Sequence, residues 1–75
     1  MDERIKQVMG AVLSVDPSSI GDDASPGTIE QWDSLRQMNL ILALEEEFEI
    51  RFPVEDMDQL ISFKLIRLSI RELME

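Results

Sequence analysis

The serine of the run Trp32-Asp33-Ser34-Leu35 is the side chain best placed for chemistry, because it comes directly before a stretch with helical apolar spacing. The first backbone N–H groups of a helix have no intrahelical partners, and the helix dipole adds positive potential at the same end. A phosphate attached to the Ser34 hydroxyl would meet both. Asp33 can cap the helix, and Leu35 offers a partner protein an apolar contact beside the hydroxyl.

A purely structural role accounts for the same residues. Asp-Ser before an apolar run is an ordinary helix start, and Ser34 with Gln37 fits a capping box. Such caps are common, so these residues alone favour the capping role over an attachment site.

The composition indicates that catalysis must come from elsewhere. The chain of 75 residues contains no Cys and no His. It therefore has no disulfide, no thiolate nucleophile and no Cys-based metal site, and it lacks the commonest general base near neutral pH. Acidic pairs such as Asp22-Asp23 lack the spacing of an EF-hand loop, so no metal site is predicted. We expect any chemistry in which the chain takes part to be supplied by a partner, and a stand-alone enzyme is not expected.

The charge restricts the partners. A formal net charge of -9 would repel nucleic acid and anionic membranes, and it favours proteins that present Lys and Arg. No apolar run is long enough to span a membrane, and the start Met1-Asp2-Glu3-Arg4 lacks a signal-peptide pattern. We expect a cytoplasmic monomer.

Apolar periodicity predicts an all-α fold, a small four-helix bundle formed by one domain that covers residues 1–75. The three main helices are expected at about 2–14, 34–49 and 62–74, with a short helix at about 55–60 and a long loop between the first two helices. Ile20, Ile29 and Trp32 could hold that loop on the core. In the last helix the predicted buried face comprises Phe63, Leu65, Ile66, Ile70 and Leu73.

The wider sequence resembles the bacterial acyl carrier proteins. The resemblance lies in Asp33-Ser34-Leu35 followed by the segment Leu40 to Phe48, in Val15-Asp16-Pro17-Ser18-Ser19-Ile20 upstream, and in Ile50-Arg51-Phe52-Pro53 downstream. It covers nearly the whole chain, and it changes the interpretation of Ser34 from a cap to an attachment site.

The resemblance implies a cofactor and a set of partners. A phosphopantetheinyl transferase would move 4'-phosphopantetheine from coenzyme A onto Ser34, and the thiol of that arm would carry acyl groups as thioesters in fatty acid, polyketide or related biosynthesis. Glu45 and Glu46 resemble the acidic residues with which the family contacts its partners. Glu30 and Asp33 would add negative charge near the arm. The predicted partner-binding residues, which would meet basic patches on acyl-transferring or acyl-activating enzymes, are Glu30, Arg36, Met38, Asn39, Leu42, Glu45 and Glu46. We expect Met38 and Leu42 to be plain core or contact residues rather than walls of an acyl pocket, and Glu47 could simply be solvated.

Three positions depart from the fatty-acid type of this family. Arg36 and Asn39 stand where acids are usual, and Trp32 stands where a smaller apolar residue is usual. These departures suggest a specialised carrier with a different partner set. The absence of a Gly-Gly pair before Ser34 counts against a peptidyl carrier. The alternative function is an acidic helical adaptor that binds a basic partner without a prosthetic group.

Overall fold

The computed structural model describes residues 2–74, and all regular secondary structure in that range is helical. Three α-helices, α1 (Asp2–Leu13), α2 (Ser34–Phe48) and α3 (Phe63–Met74), are accompanied by 3₁₀ helices at Pro17–Ser19 and Val54–Gln59. The all-α architecture is thus confirmed, although the predicted short helix is a 3₁₀ helix and Pro17–Ser19 was not predicted. No helix of residues 2–74 combines the length and apolar character that crossing a bilayer requires.

The ends of α1 and α2 are set by residues in the left-handed conformation. Ser14 has a φ of 58° and Glu49 a φ of 54°, so each helix ends one residue before the predicted boundary. After α1, the Val15 N–H donates to the Gly10 carbonyl at 3.1 Å, which closes a Schellman motif. An equivalent bond closes α2. The turns therefore redirect the chain immediately after each helix.

The core is built from one face of each α-helix. The buried hydrophobic side chains of the three helices are Ile5, Met9 and Leu13 in α1, Leu40, Ile41, Leu44 and Phe48 in α2, and Phe63, Ile66 and Ile70 in α3. The predicted buried face of the last helix is wrong at two positions, because Leu65 and Leu73 are 41% and 37% exposed. Both leucines therefore lie outside the core cluster, to which α3 contributes Phe63, Ile66 and Ile70.

The long connection between α1 and α2 is held onto the bundle at several points. Ile20 and Trp32 are buried and Ile29 packs against the core, as predicted. The Phe63 N–H at the start of α3 donates to the Ala24 carbonyl at 3.0 Å. This connection therefore has a defined position beside α3, and it delivers the chain to the first residue of α2.

Arg67 of α3 adds a polar tie to the same connection. Its guanidinium donates to the carboxylates of Asp2 at 3.2 Å and Asp22 at 3.1 Å, and it lies over the Phe63 ring. Both carboxylates raise the pKa of Arg67, with Asp22 making the larger contribution. One side chain thus joins α3 to the start of α1 and to the connection.

Candidate functional site

Asp33, rather than Ser34, caps α2. The Asp33 carboxylate accepts a hydrogen bond from the Arg36 N–H at 2.8 Å, and the Asp33 carbonyl accepts from the Gln37 N–H at 2.8 Å. The expected capping box between Ser34 and Gln37 is therefore wrong, because Asp33 already occupies the capping position. The Ser34 hydroxyl is exposed, and it has no hydrogen-bond partner among residues 2–74.

The first turn of α2 can receive a phosphate. Within the described chain, the N–H groups of Ser34 and Leu35 have no protein acceptor, since Asp33 serves only the donor of Arg36. Both groups lie at the positive end of a 15-residue helix. A phosphate ester on the Ser34 oxygen would sit beside these donors, so the residues present fit a phosphate-linked prosthetic group.

A depression of about 320 Å³ adjoins the Ser34 side chain. Its lining combines the start of α2 with apolar side chains from both neighbouring connections, and consists of Pro26, Trp32, Asp33, Ser34, Gln37 and Ile61. Ile61 is 52% exposed, whereas Trp32 is only 2% exposed. The surface next to the attachment point is thus partly apolar and open to solvent.

An apolar stripe runs along the outer side of α2. Leu35, Met38 and Leu42 are 69%, 66% and 60% exposed and follow one another at helical spacing. Met38 and Leu42 are therefore surface residues and not part of the core. Three large exposed apolar side chains in a row on a helix that begins at Ser34 are typical of a protein-docking surface.

The three consecutive glutamates of α2 differ in what holds them. Glu45 is half-buried, and its carboxylate accepts a hydrogen bond from the Phe52 N–H at 2.8 Å. Glu47 forms an ion pair with Arg4 at 2.7 Å. Glu46 is exposed and has no partner among residues 2–74. Glu46 is therefore the carboxylate of this run that is available to another protein.

Beside these glutamates the surface carries a second depression, of about 480 Å³. Half of its lining residues are acidic, and the lining comprises Leu42, Glu45, Glu46, Glu49, Ile50 and Arg51. The depression connects the lower end of the apolar stripe with the acidic end of α2. Such a surface suits a partner that presents an apolar side chain flanked by basic ones.

Of the other residues predicted to contact a partner, Arg36 is half-buried, whereas Asn39 and Glu30 are exposed. The Arg36 guanidinium donates to the Val12 carbonyl at 3.2 Å and to the Ser14 hydroxyl at 3.4 Å. It thereby satisfies the carboxyl end of α1. Asn39 is exposed on α2, and Glu30 is exposed on the connection.

Gln37 is the site residue whose role was missed. Its amide nitrogen donates to the Leu60 carbonyl at 2.8 Å, and its amide oxygen accepts from the Trp32 indole N–H. A signal was present, because Gln37 precedes the buried Leu40 and Leu44 at helical spacing and a polar side chain on a buried face needs partners. Pro26 and Ile61 were also missed, and no local pattern indicates them.

Comparison with known proteins identifies the family and the fold. The family model described as "Phosphopantetheine attachment site" matches residues 3–64, a range that includes α2 and the whole lining of the depression beside Ser34. An acyl carrier protein of Thermosynechococcus vestitus is 40% identical over 58 residues, which are 77% of this chain and 72% of that relative. The solution structure of a holo acyl carrier protein from Geobacter metallireducens has the same fold, with a TM-score of 0.87 at 23% identity, over 97% of this chain and 84% of that one.

Proposed function

Because the chain belongs to the phosphopantetheine attachment site family of acyl carrier proteins, we propose that its 4'-phosphopantetheine arm is attached to the hydroxyl of Ser34. The chain is a carrier and not an enzyme, and the arm is its covalent prosthetic group. The observation that supports Ser34 is that Asp33 caps α2 and leaves the adjoining hydroxyl exposed and without a partner in the described chain.

Attachment requires little from the chain beyond presentation of one nucleophile. The Ser34 oxygen forms a bond to the β-phosphorus of coenzyme A. The bond between this phosphorus and the oxygen that bridges it to the α-phosphate breaks, and adenosine 3',5'-bisphosphate leaves. The hydroxyl proton passes to a base of the transferase, since the chain has no His. Asp33 keeps the first turn of α2 ordered during this step. When bound, the arm supplies a thiol that carries acyl groups as thioesters.

The outer face of α2 is proposed as the docking surface for the phosphopantetheinyl transferase and for acyl-handling enzymes with basic patches. Leu35, Met38 and Leu42 would fill apolar recesses of the partner, and Glu46 would meet its Lys or Arg side chains. Asn39 lies among them. Glu45 already binds the Phe52 N–H, so only part of its carboxylate is available to a partner.

We propose a cytoplasmic monomer that serves fatty acid, polyketide or related specialised biosynthesis. The idea of a specialised carrier rested on Trp32, Arg36 and Asn39. Two of these side chains face inward, since Trp32 is buried and the Arg36 guanidinium binds the end of α1. Among the three, Asn39 is thus the one that alters the docking surface.

The test is modification of the unmodified protein. Incubation with coenzyme A, Mg²⁺ and a broad-specificity transferase should increase the intact mass by one phosphopantetheine. Ser34→Ala should abolish this increase, whereas the matched control Ser19→Ala, at an exposed serine of the connection, should retain it. A mass increase in Ser34→Ala would place the arm elsewhere. No increase in any variant would support the acidic adaptor instead.

A further inference from the structure

The side chain of Gln37 joins two segments that meet beside Ser34. Its amide binds the Leu60 carbonyl at one end and the Trp32 indole at the other, and we refer to these two contacts as the Gln37 bridge. The backbone N–H of Trp32 donates to the Ile29 carbonyl at 3.0 Å, and this bond fixes the main chain that carries the indole ring. The bridge therefore spans the space between the start of α2 and the segment before α3.

The bridge lies between the attachment point and the core. Ser34, Trp32, Gln37 and Ile61 line one depression, which is open to solvent. Behind it, Leu60 is only 2% exposed and belongs to the core. A hydrocarbon chain tethered through Ser34 that entered the bundle beside Gln37 would have to separate Gln37 from Trp32 or from Leu60.

Entry of a chain would therefore set two opposing effects against each other. Each methylene group removed from water favours entry by a factor of about 4. Separating Gln37 from either partner leaves one donor and one acceptor unpaired in a buried place, which disfavours entry by a factor on the order of 10³. Because five factors of four are about 10³, the two effects balance at about five methylene groups.

We propose that the Gln37 bridge sets a chain-length threshold for this carrier, so that short acyl groups of up to about five carbons stay on the surface and longer ones must open the bundle. Gln37 is then a specificity-determining residue, and the substrate class that the closed protein suits is the short-chain acyl group. This inference rests on the proposed attachment at Ser34, because the tether brings the acyl group to the depression.

Trp32 is the only tryptophan of the chain, and it reports on the bridge directly. The protein is loaded by a transferase with acyl-coenzyme A thioesters from acetyl to decanoyl, and loading is verified by intact mass. The indole N–H resonance and the amide resonances of Leu40, Leu44 and Ile66 are then recorded for each product. In the natural sequence they should stay unchanged for acetyl and butyryl and should shift for octanoyl and decanoyl.

Substitution of the bridge should move this threshold. In Gln37→Leu both polar partners are unpaired whether or not a chain has entered, so butyryl should already shift the core resonances. The matched control Gln7→Leu, on the exposed side of α1, should keep the natural threshold. The bridge should also be visible as slower exchange of the indole proton in the natural protein than in Gln37→Leu.

The outcomes separate the two proposals. Absence of loading contradicts attachment at Ser34 and removes the basis of the threshold. With loading verified, core shifts that begin with acetyl, or that are absent even for decanoyl, contradict the threshold alone. An unchanged threshold in folded Gln37→Leu also overturns the role of Gln37. Should that variant not fold, the natural series still tests the bridge, because a shift of the core resonances without a shift of the Trp32 indole resonance would contradict it.

Discussion

Glu46 and Glu47 are neighbours on α2, and the same substitution in each should separate docking from stability. Glu46 is exposed without a partner in the described chain, whereas Glu47 accepts two hydrogen bonds from the Arg4 side chain at 2.7 and 3.2 Å. Arg4 also donates to the Glu47 carbonyl and lies over the Phe48 ring. Glu46→Lys should therefore change recognition, and Glu47→Lys should change folding.

The expected magnitudes follow from the exposure of each group. Two unit charges 4 Å apart interact by about 1 kcal/mol in water, and exposed pairs usually contribute less than that. Reversal of the Glu46 charge should raise the KM for the phosphopantetheinyl transferase about fivefold, with little change in kcat. Glu47→Lys breaks the ion pair with Arg4 and should cost about 1 kcal/mol, which lowers the Tm of a domain of this size by about 4–8 °C.

The assay measures both properties for both variants. Transferase kinetics are recorded at low and high salt, and thermal unfolding is followed by circular dichroism. The KM effect of Glu46→Lys should shrink at high salt because screening weakens exposed charge pairs. Equal KM effects of the two substitutions would show that net charge, and not the position of Glu46, governs recognition. An unchanged Tm in Glu47→Lys would show that the Arg4 contact contributes nothing.

Two further predictions concern stability. Gly10→Ala should lower the free energy of unfolding by about 1 kcal/mol despite the better helix propensity of Ala, because an added Cβ would lie 2.8 Å from the Val15 carbonyl oxygen. In the same urea titration, the control Gly27→Ala should leave the free energy of unfolding unchanged. Stabilisation by Gly10→Ala would contradict the close approach. Hydrogen bonds from the Ser18 N–H and hydroxyl lower the pKa of Asp16 below 3.8, so its contribution to stability is complete above that pH and is lost as pH falls through the folded-state pKa. Asp16→Ala should therefore lower the urea midpoint near neutral pH and have a smaller effect in strong acid, and an effect independent of pH would contradict this assignment.

The helices could be predicted from the sequence because their apolar spacing is a local property. Which face of α2 is buried could not be predicted from the sequence. Leu35, Met38 and Leu42 repeat at helical spacing, and so do Leu40 and Leu44, so periodicity alone supports two faces. Which face is buried depends on where α1 and α3 pack. That position is determined by contacts between residues far apart in the chain.

The same limit applies to the site. Ser34 was predicted because the triplet around it is contiguous, and the cap by Asp33 is equally local. Gln37 was interpreted only as a capping partner, since its bond to Leu60 joins residues 23 positions apart. Arg36 reaches Val12 over 24 positions. Long-range polar contacts of this kind leave no periodic signal in the sequence.

The net charge of -9 therefore overstates how much of the acidic surface is free for docking. Consecutive residues of a helix point about 100° apart, so Glu45, Glu46 and Glu47 face three different neighbourhoods. One binds the Phe52 N–H, one binds Arg4, and one faces solvent. The positions that suggested a specialised partner set also differ in exposure. Trp32 is buried beside Ser34, whereas Asn39 is exposed on α2. The specialisation proposed for this carrier would then have two separable origins, the acyl group at Trp32 and the partner enzyme at Asn39.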